Sequence, residues 1–398
     1  MKYFLILGTN PSLSLAETES YLKTRKIVFS LELKRKEVLF LTTEKELDLA
    51  KIMKELGGII KFGTINSEVK KISANSFVDI IGNNFAGIDY KFKFGFSFYG
   101  EDTLALNSIA MNLKKELKKR DISCRWVTSK EKALSSVVVE QNKLNDRGAD
   151  FFILREDNKY YLGRTLAVQD FKGLSKRDFG RPARDDESGM LPPKLAQIML
   201  NLSGIKKDDV LLDPFCGSGT VLSEAALMGV RKMIGSDLSQ KAIEDTRKNI
   251  NWLKRTNDFD IDLRLERIDV QEISKKIEHN SVDVIVTEPY LGPQRGAHDL
   301  KKTVETLEKL YSKGIEGFSK ILSSNGRIVM VLPVFVSRDG EKRKFFLDNI
   351  RFDKFEFVPL LDEKHLSMKY INISRKGGII YGRQGQKVWR EIILLKLK

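Results

Sequence analysis

Apolar residues along this chain come in two rhythms: short unbroken runs, and longer stretches in which they return at helical spacing. The runs predict strands and the stretches helices. Tyr3–Leu7 reads as a strand and Asn10-Pro11 as a turn. Ser14, with Glu17 three residues on, forms a capping box for a helix through Leu22. Val38–Leu41 is a strand, Leu47–Leu56 a helix closed by Gly57-Gly58, and Ile59–Gly63 a strand. Lys91–Tyr99, alternating lysine and aromatic residues, reads as a half-buried strand with solvated lysines. Leu106, Ile109, Ala110, Leu113 and Leu117 mark a helix within Leu104–Arg120. Its basic end suits the helix macrodipole and would equally suit phosphates. Strands follow at Cys124–Val127, Ser136–Glu140, Phe151–Arg155 and Tyr160–Val168. Residues 170–193, broken by glycines and Pro182, read as a linker; Leu195, Ile198, Met199 and Leu202 then line one face of a helix.

From there strands and helices alternate as far as the strand Leu263–Ile268. The strand Val210–Leu212 runs into Asp213-Pro214-Phe215-Cys216-Gly217-Ser218-Gly219-Thr220, and a helix begins at Val221. Met233–Gly235 ends in Ser236-Asp237, a helix spans Lys241–Lys254, and the strand Leu263–Ile268 ends in Asp269. Val282–Val286 leads to Thr287-Glu288-Pro289-Tyr290-Leu291-Gly292-Pro293. A helix over Leu300–Leu322 and strands at Arg327–Leu332, Phe345–Ile350, Phe355–Val358, Tyr370–Ile373 and Val388–Leu395 complete an α/β sheet with an antiparallel closing hairpin. Strand, glycine loop, helix, strand and acid make a right-handed parallel unit whose ligand crevice lies at the strand ends.

Gly217 and Gly219 admit positive φ and close approach of backbone to a ligand. An acid in the position of Asp237 accepts both hydroxyls of a ribose. The glycine spacing is neither GxGxxG nor a P-loop, so a dinucleotide or nucleoside-triphosphate reading does not fit. Framed by Asp213 and Asp237, the loop points to a nucleoside cofactor.

Composition sharpens the partner. The chain has 398 residues, enough for two or three domains, with 41% hydrophobic and 31% charged residues. A net charge of +15 favours a polyanion, most simply nucleic acid, although a lysine-rich solvated surface would produce the same figure. Two cysteines, Cys124 and Cys216, build neither a disulfide framework nor a zinc cluster. No apolar run reaches the ~20 residues of a membrane span. The expectation is a cytoplasmic protein.

DPFCGSGT resembles the S-adenosylmethionine loop of Rossmann-type methyltransferases, and Ser188–Ala196 resembles the lead-in of THUMP-domain RNA methyltransferases, which include the tRNA guanine N-methyltransferases. The likeness is strong over residues 177–237 and extends more weakly over nearly the whole chain. It implies a Rossmann-like methyltransferase sheet (residues 176–398) preceded by an α+β ferredoxin-like module (1–63) and a THUMP RNA-binding domain (64–175). It further implies S-adenosylmethionine as cofactor, held by Asp213, Phe215, Gly217, Gly219, Thr220, Asp237, Leu238 and Asp269, the last contacting adenine. Asp269 would alternatively cap the next turn. Lys143, Arg147, Arg164, Arg177 and Arg181 are the expected contacts to tRNA phosphates, which position without reading sequence. No metal is implied.

Enzymes of this kind that methylate exocyclic amines carry Asp or Asn, two prolines and an aromatic after the fourth strand. Here Glu288 stands in the place of the Asp or Asn, Tyr290 in that of the second proline and Leu291 in that of the aromatic. The resemblance makes Glu288, Pro289 and Tyr290 the catalytic residues, with the carboxylate accepting from the amine and the tyrosine stacking on the base. Pyrimidine carbon methylation needs a thiolate beside the base. Neither cysteine lies in the fourth-strand loop, which leaves nitrogen, or ribose oxygen, as acceptor. A guanine amino group in tRNA is the leading acceptor; a DNA or rRNA amino-methyltransferase and a non-catalytic RNA-binding protein are the alternatives.

Overall fold

The computed structural model describes residues 1–82, 88–184, 190–292, 299–336, 344–345, 347–383 and 385–398. Ser188, Gly189 and Pro293 of the motifs above lie outside the described residues. Two compact units are present: Met1–Thr9, Ile27–Glu55 and Ile59–Phe171 in the first, Asn10–Lys26, Leu56–Gly58 and Lys172–Lys398 in the second. Up to residue 179 the elements run β1 (Lys2–Leu7), α1 (Pro11–Thr24), β2 (Phe29–Arg35), β3 (Val38–Thr43), α2 (Leu49–Glu55), β4 (Ile59–Val69), α3 (Ala74–Ile81), β5 (Phe92–Tyr99), α4 (Leu106–Lys118), β6 (Cys124–Trp126), α5 (Ser136–Gln141), β7 (Gly148–Glu156), β8 (Lys159–Val168) and α6 (Phe171–Phe179).

In the first unit a continuous sheet has the order β2-β3-β1-β4-β8-β7-β5-β6, with β5 parallel to β6 and β7. Strand periodicity sorts β5 cleanly. Phe92, Phe94, Phe96 and Phe98 share one face, packed with Phe77 of α3 and Leu113 of α4. The opposite face carries Ser97, which belongs to a buried polar ladder with one residue on each of four neighbouring strands. Lys61 Nζ donates to Asp150 Oδ2 at 2.7 Å and to Ser97 Oγ at 2.9 Å, Ser97 Oγ donates to Asp150 Oδ1 at 2.6 Å, and Thr165 Oγ1 donates to Asp150 Oδ2 at 2.7 Å. Burying this ion pair is tolerable because hydrogen bonds satisfy both of its ends.

Two expectations fail here for a common reason. Ser136–Glu140, a β-branched run, forms α5 rather than a strand: the Ser135 side chain caps Val138 N, and Val139 packs on Leu134 and Leu144. Part of the supposed linker is α6. Local propensity is a weak prior that capping and burial override.

The second unit continues with α7 (Pro193–Leu202), β9 (Val210–Asp213), α8 (Thr220–Leu227), β10 (Lys232–Asp237), α9 (Gln240–Lys254), β11 (Asp262–Arg267), a 3₁₀ turn (Val270–Lys275), β12 (Val282–Thr287), α10 (Leu300–Ile321), β13 (Leu322–Val336), β14 (Lys344–Phe345), β15 (Phe355–Val358), α11 (Glu363–Leu366), β16 (Ile379–Tyr381) and β17 (Val388–Leu397). Its sheet has the order β11-β10-β9-β12-β13-β17-β15, parallel through β13, with β14 on β13 and β16 on β17. The expected strand at Tyr370–Ile373 is absent; the partner of β17 there is β16. Chain order reverses between β9 and β12, which opens a crevice at their carboxyl ends.

Helix α1 also departs from expectation. It starts at Pro11, with Asn10 as N-cap accepting from Leu13 N, so Asn10-Pro11 opens the helix instead of turning before it. Glu17 caps nothing in its own helix. It is fully buried, and its carboxylate accepts from Gly57 N (2.8 Å), Gly58 N (2.7 Å) and Asn201 Nδ2 (2.8 Å). Burial pushes this carboxyl from 4.5 up to about 7, against three donors that draw it down.

Glu17→Ala leaves those donors buried without an acceptor and should cost about 2–4 kcal/mol, read from denaturant midpoints. The folded protein keeps this proton where the unfolded chain has already released it. Wild-type stability measured against Glu17→Gln should therefore fall as pH rises from 4.5 to about 7.

Candidate active site

At the crevice, β9 ends in Asp213, β10 in Asp237, and β12 runs into Glu288. A cavity of about 440 Å³ opens among them. Met190, Asp213, Phe215, Gly217, Thr220, Asp237, Leu238, Asp269, Glu288, Pro289 and Tyr290 contribute to its walls. Ten of these residues were singled out from sequence, and Met190 stood within the lead-in motif. Gly219 lies just behind, where it is the left-handed N-cap of α8 (φ +82°).

The loop is held from outside so that its inner edge is left to the cavity. Cys216 N donates to Ser236 O at 2.9 Å and Gly217 N to Asp237 Oδ2 at 3.0 Å. Thr246 and Asn249, one turn apart on α9, grip the far side: Thr246 Oγ1 donates to Gly217 O (2.8 Å), and Asn249 Nδ2 to Ser218 O (2.8 Å) and Ala183 O (2.9 Å). Cys216 is buried, and burial pushes its thiol well above the ordinary range, so it packs and does not react.

Each acid has its own surroundings. Asp213 is 2% exposed; Oδ1 accepts from Thr287 Oγ1 at 2.8 Å and Phe215 N at 3.2 Å. Burial raises its carboxyl from 3.8 to about 7, with lesser pushes from Asp237 and Glu288. Asp237 is half-buried and also accepts from Ser239 N at 2.9 Å. Asp269 lines the cavity and caps the 3₁₀ turn by accepting from Gln271 N at 2.9 Å. Leu238 is 62% exposed at the rim.

Glu288 is gripped by Arg390 of β17, which sequence reasoning missed. Arg390 Nε donates to Glu288 Oε1 and Nη2 to Oε2 at 3.3 Å; each side chain is only 12% exposed. Glu288 raises the Arg390 guanidinium further, against the burial that lowers it. Pro289 and Leu291 are buried, while Tyr290 is 54% exposed, and its carbonyl accepts from the buried Tyr311 hydroxyl at 2.6 Å.

The expected phosphate ligands divide. Lys143 and Arg147 are exposed. Arg164 is spent on the carbonyls of Asp146 (3.2 Å) and Gly148 (2.7 Å). Arg177 and Arg181 correct the expectation outright. Arg177 forks onto the buried Glu224 (2.6 and 3.2 Å), and Arg181, 6% exposed, donates to Thr220 Oγ1 at 2.7 Å. Both clamp α8 from within because a buried carboxylate and an inward hydroxyl demand donors.

Comparison with known proteins agrees with this geometry. The RMKL-like methyltransferase domain matches residues 181–337, and a DNA methylase family matches residues 74–248. The tRNA (guanine(10)-N2)-dimethyltransferase of Methanothermobacter thermautotrophicus is 33% identical over 219 residues, 53% of this chain and 59% of that protein. A probable tRNA (guanine(10)-N2)-dimethyltransferase of Methanothermococcus thermolithotrophicus is 30% identical over 183 residues, 46% of this chain and 98% of that protein. The chain belongs to the RMKL-like methyltransferase family.

The crystal structure of TrmN from Thermus thermophilus shares the fold of this family member end to end, with a TM-score of 0.57, 15% identity and 100% of both chains covered. This chain spans 59% and 49% of the length of the first two curated relatives it matches. S-adenosylmethionine is the methyl donor of the family. The residues of this family member fit it: acids stand at successive strand ends, and the glycine bend carries no side chain toward the cavity. A Cβ at Gly217 would meet nothing within 4 Å, whereas one at Gly219 would meet Thr246 Cγ2 at 2.8 Å.

The two glycines should therefore fail differently. Gly219→Ala meets both Thr246 and a forbidden φ and should lose about 1–3 kcal/mol of stability. Gly217→Ala should lose only about 1 kcal/mol while weakening donor binding, because its methyl occupies the cavity side. Thermal denaturation and calorimetric titration with S-adenosylmethionine separate the two effects.

Proposed function

We propose that this protein is a cytoplasmic RNA methyltransferase that transfers a methyl group from S-adenosylmethionine to a guanine amino group in tRNA. The observation that carries the reading is the meeting of Asp213, Gly217, Asp237 and Glu288-Pro289-Tyr290 around one cavity at the strand-order reversal. Asp237 takes the ribose diol, Asp269 the adenine amine, and the bend at Gly217 gives room for backbone approach. S-adenosylmethionine supplies an electrophilic methyl group on a cationic sulfur. Glu288 accepts hydrogen bonds from the target amine and aims its lone pair, and the exposed ring of Tyr290 offers a stacking face to the base.

Names borne by similar proteins support the substrate: these act on guanine in tRNA by their descriptions, at 30% and 33% identity. The net charge of +15 supports a polyanionic partner. We assign recognition of the RNA backbone to the ferredoxin-like and THUMP modules of residues 1–63 and 64–175, with Lys143 and Arg147 contacting phosphates, and catalysis to residues 176–398. The DNA methylase match keeps a DNA amine as the competing acceptor.

Incubation with labelled S-adenosylmethionine and a pool of unmodified tRNA transcripts, followed by nucleoside mass spectrometry, should yield N2-methylated guanosine, and a DNA duplex should yield none. Label appearing on DNA alone, or on neither, overturns the reading. Glu288→Ala should lower the rate by about a hundred-fold or more with little change in donor affinity.

Asp213 supplies a pH signature. Its carboxyl, raised to about 7, is protonated below that value and ionised above it. A cationic donor binds the ionised form better, so its affinity should increase as pH rises through about 7, and Asp213→Asn should flatten the dependence.

A further inference from the structure

The segment that follows β12 is anchored along its length, and one of its anchors has no part in the chemistry proposed above. Glu288 is forked by Arg390 at the start. Farther on, Gly292 takes a left-handed turn (φ +94°), where a Cβ would meet Thr303 Cγ2 at 3.2 Å and Leu307 Cδ1 at 3.5 Å. Between them the Tyr311 hydroxyl, carried by α10, donates to the Tyr290 carbonyl at 2.6 Å. Tyr311 is 2% exposed and belongs to the core of the second unit, whereas Tyr290 is 54% exposed.

Tyr290 is thus divided: its backbone is tied to the core while its ring is left at the cavity wall. Burial pushes the Tyr311 hydroxyl well above its ordinary range, and Glu288 and Tyr290 add to the push. The phenol therefore keeps its proton and stays a donor. A donor on that carbonyl sets the plane of the peptide joining Tyr290 to Leu291, and the ring of Pro289 fixes φ one residue earlier. What freedom remains to Tyr290 is mostly in its two side-chain torsions, so ordering the ring against a ligand costs little entropy.

We propose that Tyr311 is a positioning residue: its hydroxyl holds the backbone of Tyr290 so that the ring stands as a preset stacking face for the target base. The inference rests on the proposed reaction, in which Tyr290 receives that base, and Tyr311 acts only through Tyr290. Without the bond the ring would range more widely, and the base stacked on it would meet Glu288 and the donor less often at reacting distance. Misplacement by about 1 Å is enough to cost a hundred-fold in rate.

Tyr311→Phe removes one oxygen and keeps the ring in the core, so its thermal midpoint should lie within about 4 °C of wild type. On whichever nucleic-acid amine wild type methylates, it should lower kcat by about ten- to a hundred-fold and keep its affinity for S-adenosylmethionine within about two-fold by calorimetry. The deciding measurement is a cycle with Tyr290→Ala, which deletes the ring and leaves the carbonyl. The double variant should be no slower than Tyr290→Ala alone, within about two-fold, because Tyr311 has nothing left to position. Effects that multiply, or a Tyr311→Phe protein with wild-type kcat, overturn the inference. So does a Tyr311→Phe protein that fails to fold or loses donor affinity in step with kcat, since the bond then serves stability and not positioning. Wild type that methylates an amine other than guanine fails the base assignment alone, and the cycle is run on that amine. Wild type that binds donor and methylates nothing overturns the reaction and this inference together.

Discussion

A carboxylate taken out of water must be given a cation or several hydrogen-bond donors, and the second unit is arranged around that demand. Glu224 has Arg177 and Glu288 has Arg390, each engaged through a two-point fork. Glu17 and Asp213 have only neutral donors around them, and both carboxyls are raised to about 7. The difference has functional weight. Glu17 lies away from the cavity and is a structural anchor, joining α1 to the Gly57-Gly58 turn and to Asn201. Asp213 lies in the wall of the cavity, where a cationic ligand would complete the pairing that the protein itself withholds.

The same demand explains why two arginines of the segment entering the second unit, Arg177 and Arg181, turn inward. Arginines have five donors in a rigid fork, and the buried acceptors of α8 compete for them effectively against solvent. Arg177 and Arg181 are thereby drawn under the glycine loop, while Thr246 and Asn249 hold it from α9. The loop is braced on both sides before any ligand arrives, which is what preorganised binding requires. Lys143 and Arg147, by contrast, keep exposed side chains.

Much of the fold was legible because the second unit repeats one local grammar. Short apolar runs between helical periods, each ending in an acid or a glycine bend, identify parallel strands whose ends carry chemistry. This is why Asp213, Gly217 and Asp237 stand out in the sequence, whereas Asp269 and Glu288 were marked by the family resemblance. Misreadings clustered where burial outweighed local preference. Ser14 and Glu17 satisfied the spacing of a capping box, yet Asn10 and Pro11 start the helix, and Glu17 answers to glycines some forty residues away in sequence. The valines of α5 favoured a strand until a serine cap and an apolar pocket prevailed.

Sequence alone determined the run of strands and helices from β9 to β12 in the second unit, the glycine bend and the acids beside it, because these depend on neighbours within a few residues. Tertiary structure decided which charges face inward. Arg390 lies about a hundred positions from Glu288 and carries no motif of its own; only the strand order β12-β13-β17 brings the two together. Partner choice for a buried charge is set by a distance in space and a dielectric that exist only after the sheet has formed, and no spacing along the chain encodes either.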